Sequence, residues 1–131
     1  IAYPLFLPSL VWRTWRAVAV ADVVHVHGLV FPASPLACLF ARLQGKWSVC
    51  TDHGGLLQYR WSIGTLFLRF LFATVGRVTA RSADRLVAYN RDVEALAQRL
   101  SGDAAKVAFV ANPVDPTVFM ELRPDPARWR G

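Results

Sequence analysis

Two rhythms of apolar and polar residues alternate along this chain. Short apolar runs closed by glycine or asparagine are separated by longer stretches of helical periodicity. From Ser9 to Val20 the apolar side chains recur at helical spacing, with Arg13 and Arg16 on another face. Asp22 to Gly28 (Asp-Val-Val-His-Val-His-Gly) reads as a strand ending on glycine. Pro32 and Pro35 then open a helix that runs to about Leu43 and stops at Gly45. Lys46 to Asp52 is a second strand, and Trp61 to Ala80 a second, very apolar helix. Ala83 to Tyr89 is a third strand, followed by a helix from Arg91 to Leu100 that Asn90 caps and Ser101-Gly102 ends. Lys106 to Ala111 is a fourth strand, closed by Asn112-Pro113-Val114-Asp115-Pro116.

Strands alternating with helices at this spacing predict an α/β fold with a parallel sheet and right-handed crossovers. All strand tips of a parallel sheet lie on one edge, where ligands bind in open α/β sheets. His27-Gly28, His53-Gly54-Gly55, Asn90 and Asn112 all fall at such tips, so four loops converge on one rim. His53 stands out among them. It ends an apolar strand and precedes two glycines, which let a substrate approach the backbone closely. Its imidazole can exchange a proton near neutral pH or hydrogen-bond a sugar hydroxyl. The rim position nominates His27, Gly28, Gly54, Gly55 and Asn90 as substrate-binding residues beside it.

Composition bounds the partners. The 131 residues suit one domain, and 54% hydrophobic content with a mean hydropathy of +0.31 fits strands buried on both faces by helices. Fifteen basic residues, nearly all arginine, against nine acidic ones give a net charge of +6. That balance points to an anionic partner: a nucleotide, a phosphorylated lipid or a negative membrane surface. No basic stripe interleaved with aromatics is present, so nucleic acid is not expected. Trp61 to Val75 reads first as a core crossover helix with Thr65 and Arg69 on a narrow polar stripe. A membrane-surface helix is the alternative, and the arginine leaves too short an uninterrupted apolar run for a span. Cys38 and Cys50 are isolated thiols in apolar surroundings, as in buried small hydrophobes of a reducing compartment. A cytoplasmic location follows, with attachment to the inner face of a membrane left open by the charge. No signal peptide is visible at Ile1-Ala2-Tyr3-Pro4, and the proline-broken stretch from Arg123 to Gly131 resembles the start of a linker. The expected organisation is a partial domain over 1–122 and a linker over 123–131, excerpted from a longer protein.

Other chemistry is sparse. His25 and His27 alternate along a strand and share a face, but no further ligands stand at suitable spacing, so no metal is expected. His25 is expected to pack within the sheet and His27 to lie near the cleft. There is no G-x-G-x-x-G, no P-loop and no nucleophile elbow. Asp22 and Asp84 begin strands and belong to the opposite edge. In Asn112-Pro113-Val114-Asp115, Asn112 can bond its own loop, Pro113 fixes the exit and Asp115 can cap the next turn, with Val118 and Phe119 packing behind.

Four motifs in order resemble one family: Asp22-Val23-Val24-His25-Val26-His27-Gly28, Thr51-Asp52-His53-Gly54-Gly55, Ala83-Asp84-Arg85-Leu86-Val87-Ala88, and Asn112-Pro113-Val114-Asp115 with Phe119. Together they resemble the amino-terminal domain of family 4 glycosyltransferases, retaining enzymes of the GT-B fold that use nucleotide sugars. The resemblance implies a Rossmann-like domain that holds the acceptor, facing a second domain that holds most of a nucleoside-diphosphate sugar. It implies no metal or other cofactor. It places His53 on the family's cleft histidine, the catalytic candidate, and Asn112 and Asp115 on the usual Asn-Gly-Val-Asp turn as substrate-binding candidates. Pro113 replaces the glycine of that turn and stiffens it. The implied parent is a hexosyltransferase-type enzyme acting on an acceptor hydroxyl of a glycan, glycolipid or other molecule, and this piece alone is expected to be inactive. The rival readings are a non-catalytic Rossmann-like module binding a nucleotide or lipid, and a GT-B-fold epimerase.

Overall fold

Period-two alternation in four short segments gives each strand one apolar face, and one layer of helices buries that face. The computed structural model describes residues 8–54 and 62–111. Its elements are α1 (Pro8–Ala19), β1 (Val23–His27), α2 (Ala33–Leu43), β2 (Trp47–Asp52) and α3 (Ser62–Leu71). A π-helical turn (Phe72–Gly76) joins α3 to α4 (Arg77–Ser82), followed by β3 (Arg85–Ala88), α5 (Arg91–Ser101), a 3-10 turn (Ala104–Lys106) and β4 (Val107–Phe109). The sheet is parallel throughout, in the order β1-β2-β3-β4, with Val26 beside Cys50, Cys50 beside Leu86 and Leu86 beside Val107. This is the predicted α/β, Rossmann-like arrangement.

Local chemistry sets the boundaries. Pro32 sits at the N-cap of α2 with helical φ −55°, where its missing N–H would have had no partner anyway. The Asn90 side chain accepts the Val93 N–H at 2.8 Å to start α5, and Gly102, at φ +74°, stops it. Asp103 caps the 3-10 turn by accepting the Ala105 N–H at 2.9 Å. At the far edge, the Asp84 carboxylate accepts both the Ser48 N–H at 2.8 Å and the Ser48 hydroxyl at 2.9 Å, clamping the start of β3 to β2. Asp84 is thus the strand-start residue its position predicts.

The main core gathers Leu29, Cys38, Cys50, Phe72, Ala80, Leu86, Leu96 and Leu100, and a smaller one joins Val18, Val24, Ala37 and Ala41. Gly76 packs closely at the π turn, where a Cβ would lie 3.2 Å from the Phe72 ring. Thr79 ties the following turn down by donating to the Leu29 carbonyl at 2.8 Å.

Two expectations fail here. Among the described residues, helices cover only one face of the sheet: α2 and α5 pack on the side of Val24, Val26, Cys50 and Leu86. The opposite face carries Val23, His25, His27, Trp47, Val49, Thr51, Arg85 and Val87, with Val23 57% and Trp47 62% exposed. The strand order explains it. Right-handed crossovers that always step in the same direction place every helix on the same side. The helix read from Trp61 to Val75 is a core element on one face only over its described first half. Leu68 packs against the main core and Phe72 is buried in it, whereas Ile63, Leu66, Phe67 and Phe70 are exposed.

Candidate functional site at the strand-tip rim

The site begins with the two strands whose tips carry histidine. β1 ends at His27, and the Gly28 N–H donates to the Thr51 carbonyl at 2.7 Å, extending the pairing by one residue. Gly28 then turns the chain with φ +81°, and a Cβ there would run into the Phe31 ring. Only glycine suits both demands. β2 ends at buried Asp52, and His53 follows it into solvent with Gly54 beside it.

Aromatic rings form a row along this rim on the open face of the sheet. The His25 and His27 rings lie 4.5 Å apart between centroids, His27 and His53 stack at 5.5 Å with 17° between planes, and His53 stacks on Tyr89 at 4.6 Å. His27 Nδ1 and His53 Nε2 share a hydrogen bond at 3.3 Å, and His25 Nε2 shares one with the Thr51 hydroxyl at 2.8 Å. A neutral imidazole has one donor and one acceptor nitrogen, so a bond between two of them links their tautomers. With Nε2 facing His27, His53 keeps Nδ1 for another partner. Seated between two flat rings, its side chain presents that nitrogen with little rotamer freedom to lose.

The structure therefore brings together His27, Gly28, His53 and Gly54, as the rim argument predicts. Asn90 stands at the next tip, where its Oδ1 serves as the α5 cap. Gly55, Asn112 and Asp115 lie outside the described residues. His25 is a correction: it is exposed rather than packed within the sheet, because no described helix covers its face. His25 and His27 do share a face, as their alternation requires.

Tyr89 is the residue sequence reasoning missed. The signal was present but needed the register: Thr51 pairs with Val87, so two residues further on His53 meets Tyr89. Among the described residues no group of three or more His, Cys, Asp or Glu side chains is disposed to hold a metal. The two thiols contribute nothing at the rim. Burial pushes Cys38 up to about 12, with the nearby Asp84 carboxylate adding to it, and burial likewise raises Cys50.

The family model described as Glycosyltransferase Family 4 matches residues 1–118 of the 131-residue chain. The chain belongs to glycosyltransferase family 4. A search of the curated proteins finds no match to it. Membership makes sugar transfer between a donor and an acceptor the chemistry this family 4 domain serves. The expected family and the expected Rossmann-like α/β fold both stand.

Proposed function

We propose that this chain forms the acceptor-side domain of a retaining, GT-B glycosyltransferase. The donor is a nucleoside-diphosphate sugar of the hexosyl class, and the acceptor supplies a hydroxyl. The observation that carries this reading is the exposed His53 imidazole at a parallel-sheet rim, flanked by His27 and Tyr89 in a domain of a glycosyltransferase family.

Transfer from such a donor develops oxocarbenium character on the sugar and negative charge on the departing diphosphate. A site can serve that chemistry by positioning and by aimed hydrogen bonds, without a metal. His53 hydrogen-bonds the transferred sugar or the incoming hydroxyl through the nitrogen that His27 does not occupy. Gly28 and Gly54 keep the rim low enough for a sugar ring to reach it. His27 sets the orientation and tautomer of His53, and Tyr89 supports the other face of its ring.

The test is the stereochemistry of the product. Proton NMR of the reaction of the complete transferase, run with a chelator present, is expected to show the anomeric configuration of the donor in the first-formed product. An inverted product, or transfer that stops with chelator and returns with added metal, would contradict the proposal.

A further inference from the structure

The helix that follows the rim is longer than the sheet it crosses. Ile63–Ser82 runs 20 residues through α3, the π turn and α4. At 1.5 Å per residue that is about 30 Å, whereas a six-residue strand such as β2 spans about 20 Å. The chain leaves β2 at the rim and must enter β3 at the opposite edge. The surplus, about 10 Å by the same measures, therefore falls on the rim side, at the start of α3.

Leu68 ties these turns to the main core, and the face they leave exposed is apolar. Ile63, Leu66, Phe67 and Phe70 follow the spacing of one helical face and are 79%, 68%, 61% and 61% exposed. The π turn inserts one residue into the helical phase. Val78 thus stays on the stripe of Phe70, and Arg77 stays in line with Arg69 on its flank. Between Ile63 and Ser82 stand three arginines, Arg69, Arg77 and Arg81, and no acidic residue. All three arginines are exposed.

We propose that this face docks the protein on an anionic membrane surface, the aromatic and aliphatic side chains entering the headgroup boundary and the arginines engaging the headgroups. An exposed apolar stripe bordered only by positive charge matches an anionic bilayer in both respects. By length and composition the helix could cross a bilayer, but its second half is committed to the fold: Phe72, Gly76, Thr79, Ala80 and Ser82 are buried. It lies on the surface rather than spanning. Docking this way holds the His53 rim at the bilayer, and it does not depend on the chemistry proposed above.

Vesicle flotation of the full chain tests it, using phosphatidylcholine alone and phosphatidylcholine mixed with phosphatidylglycerol. The parent is expected to float with the mixed vesicles only and to detach in high salt. Arg69→Gln and Arg77→Gln are each expected to weaken partitioning about fivefold. Phe67→Ser with Phe70→Ser should abolish it while circular dichroism and thermal melting stay unchanged, since both side chains lie in solvent. Three results overturn the proposal: no flotation, equal flotation with neutral vesicles, or a serine variant that floats like the parent. So does a sedimenting dimer that ignores vesicles and that the serine variant dissolves, because the face would then belong to a second copy.

Discussion

An exposed histidine becomes chemically useful when its neighbours limit what it can do. His53 has one nitrogen shared with His27 and one ring face on Tyr89, so its remaining nitrogen points from a restrained ring. The thiols show the opposite case. Cys38 and Cys50 are 0% and 1% exposed, and desolvation disfavours their thiolates. A thiol reagent at neutral pH should therefore label neither in the folded chain and both in denaturant, and rapid native labelling would contradict the burial. Cys38 keeps its proton in the folded chain up to about 12, against an ordinary 9.0. The unfolded state releases that proton first, so this group's contribution to stability is intact below 9.0 and is lost as pH climbs toward about 12. At this scale His27, Gly28, His53 and Gly54 were legible because strand tips are marked by the glycines that end them. Tyr89 was not, because its place depends on which residue of β2 it faces.

Elements were legible where side chains cap them. Asn90, Gly102 and Pro32 each carry a local signal that needs no tertiary context, and α2 and α5 begin and end within a residue of where those signals put them. The exposure of α3 was not legible. Apolar periodicity shows that a face seeks cover but not whether the fold supplies it, and a helix about 10 Å too long for its sheet leaves that face open. The Asp84–Ser48 clamp belongs to this scale too, since it fixes where β2 and β3 start relative to each other. Asp84→Ala leaves the Ser48 N–H and hydroxyl without their acceptor at a fully buried residue, a loss of about 2–3 kcal/mol. Urea unfolding is expected to show that decrease in midpoint. A variant as stable as the parent would mean that the far edge is held by strand pairing alone.

For the whole molecule, sequential strand order has two consequences. Among the described residues it sends every packed helix to one side of the sheet, and it leaves the other side, with the row from His25 to Tyr89, without helical cover. The high apolar content suggested cover on both faces, but composition counts apolar residues without placing them; Val23, Trp47 and the α3 stripe spend them on the surface. Fold and family thus agree on a glycosyltransferase domain, and in the function proposed for it His53 is the group that the open rim presents to the substrate. The decisive measurement is the turnover of the complete transferase with His53→Ala beside the parent. The account predicts a loss of more than about tenfold, or about 1.4 kcal/mol of transition-state stabilisation, with an unchanged melting temperature. Turnover near the parental value in a fully folded variant would contradict it and leave the rim histidine without a part in transfer.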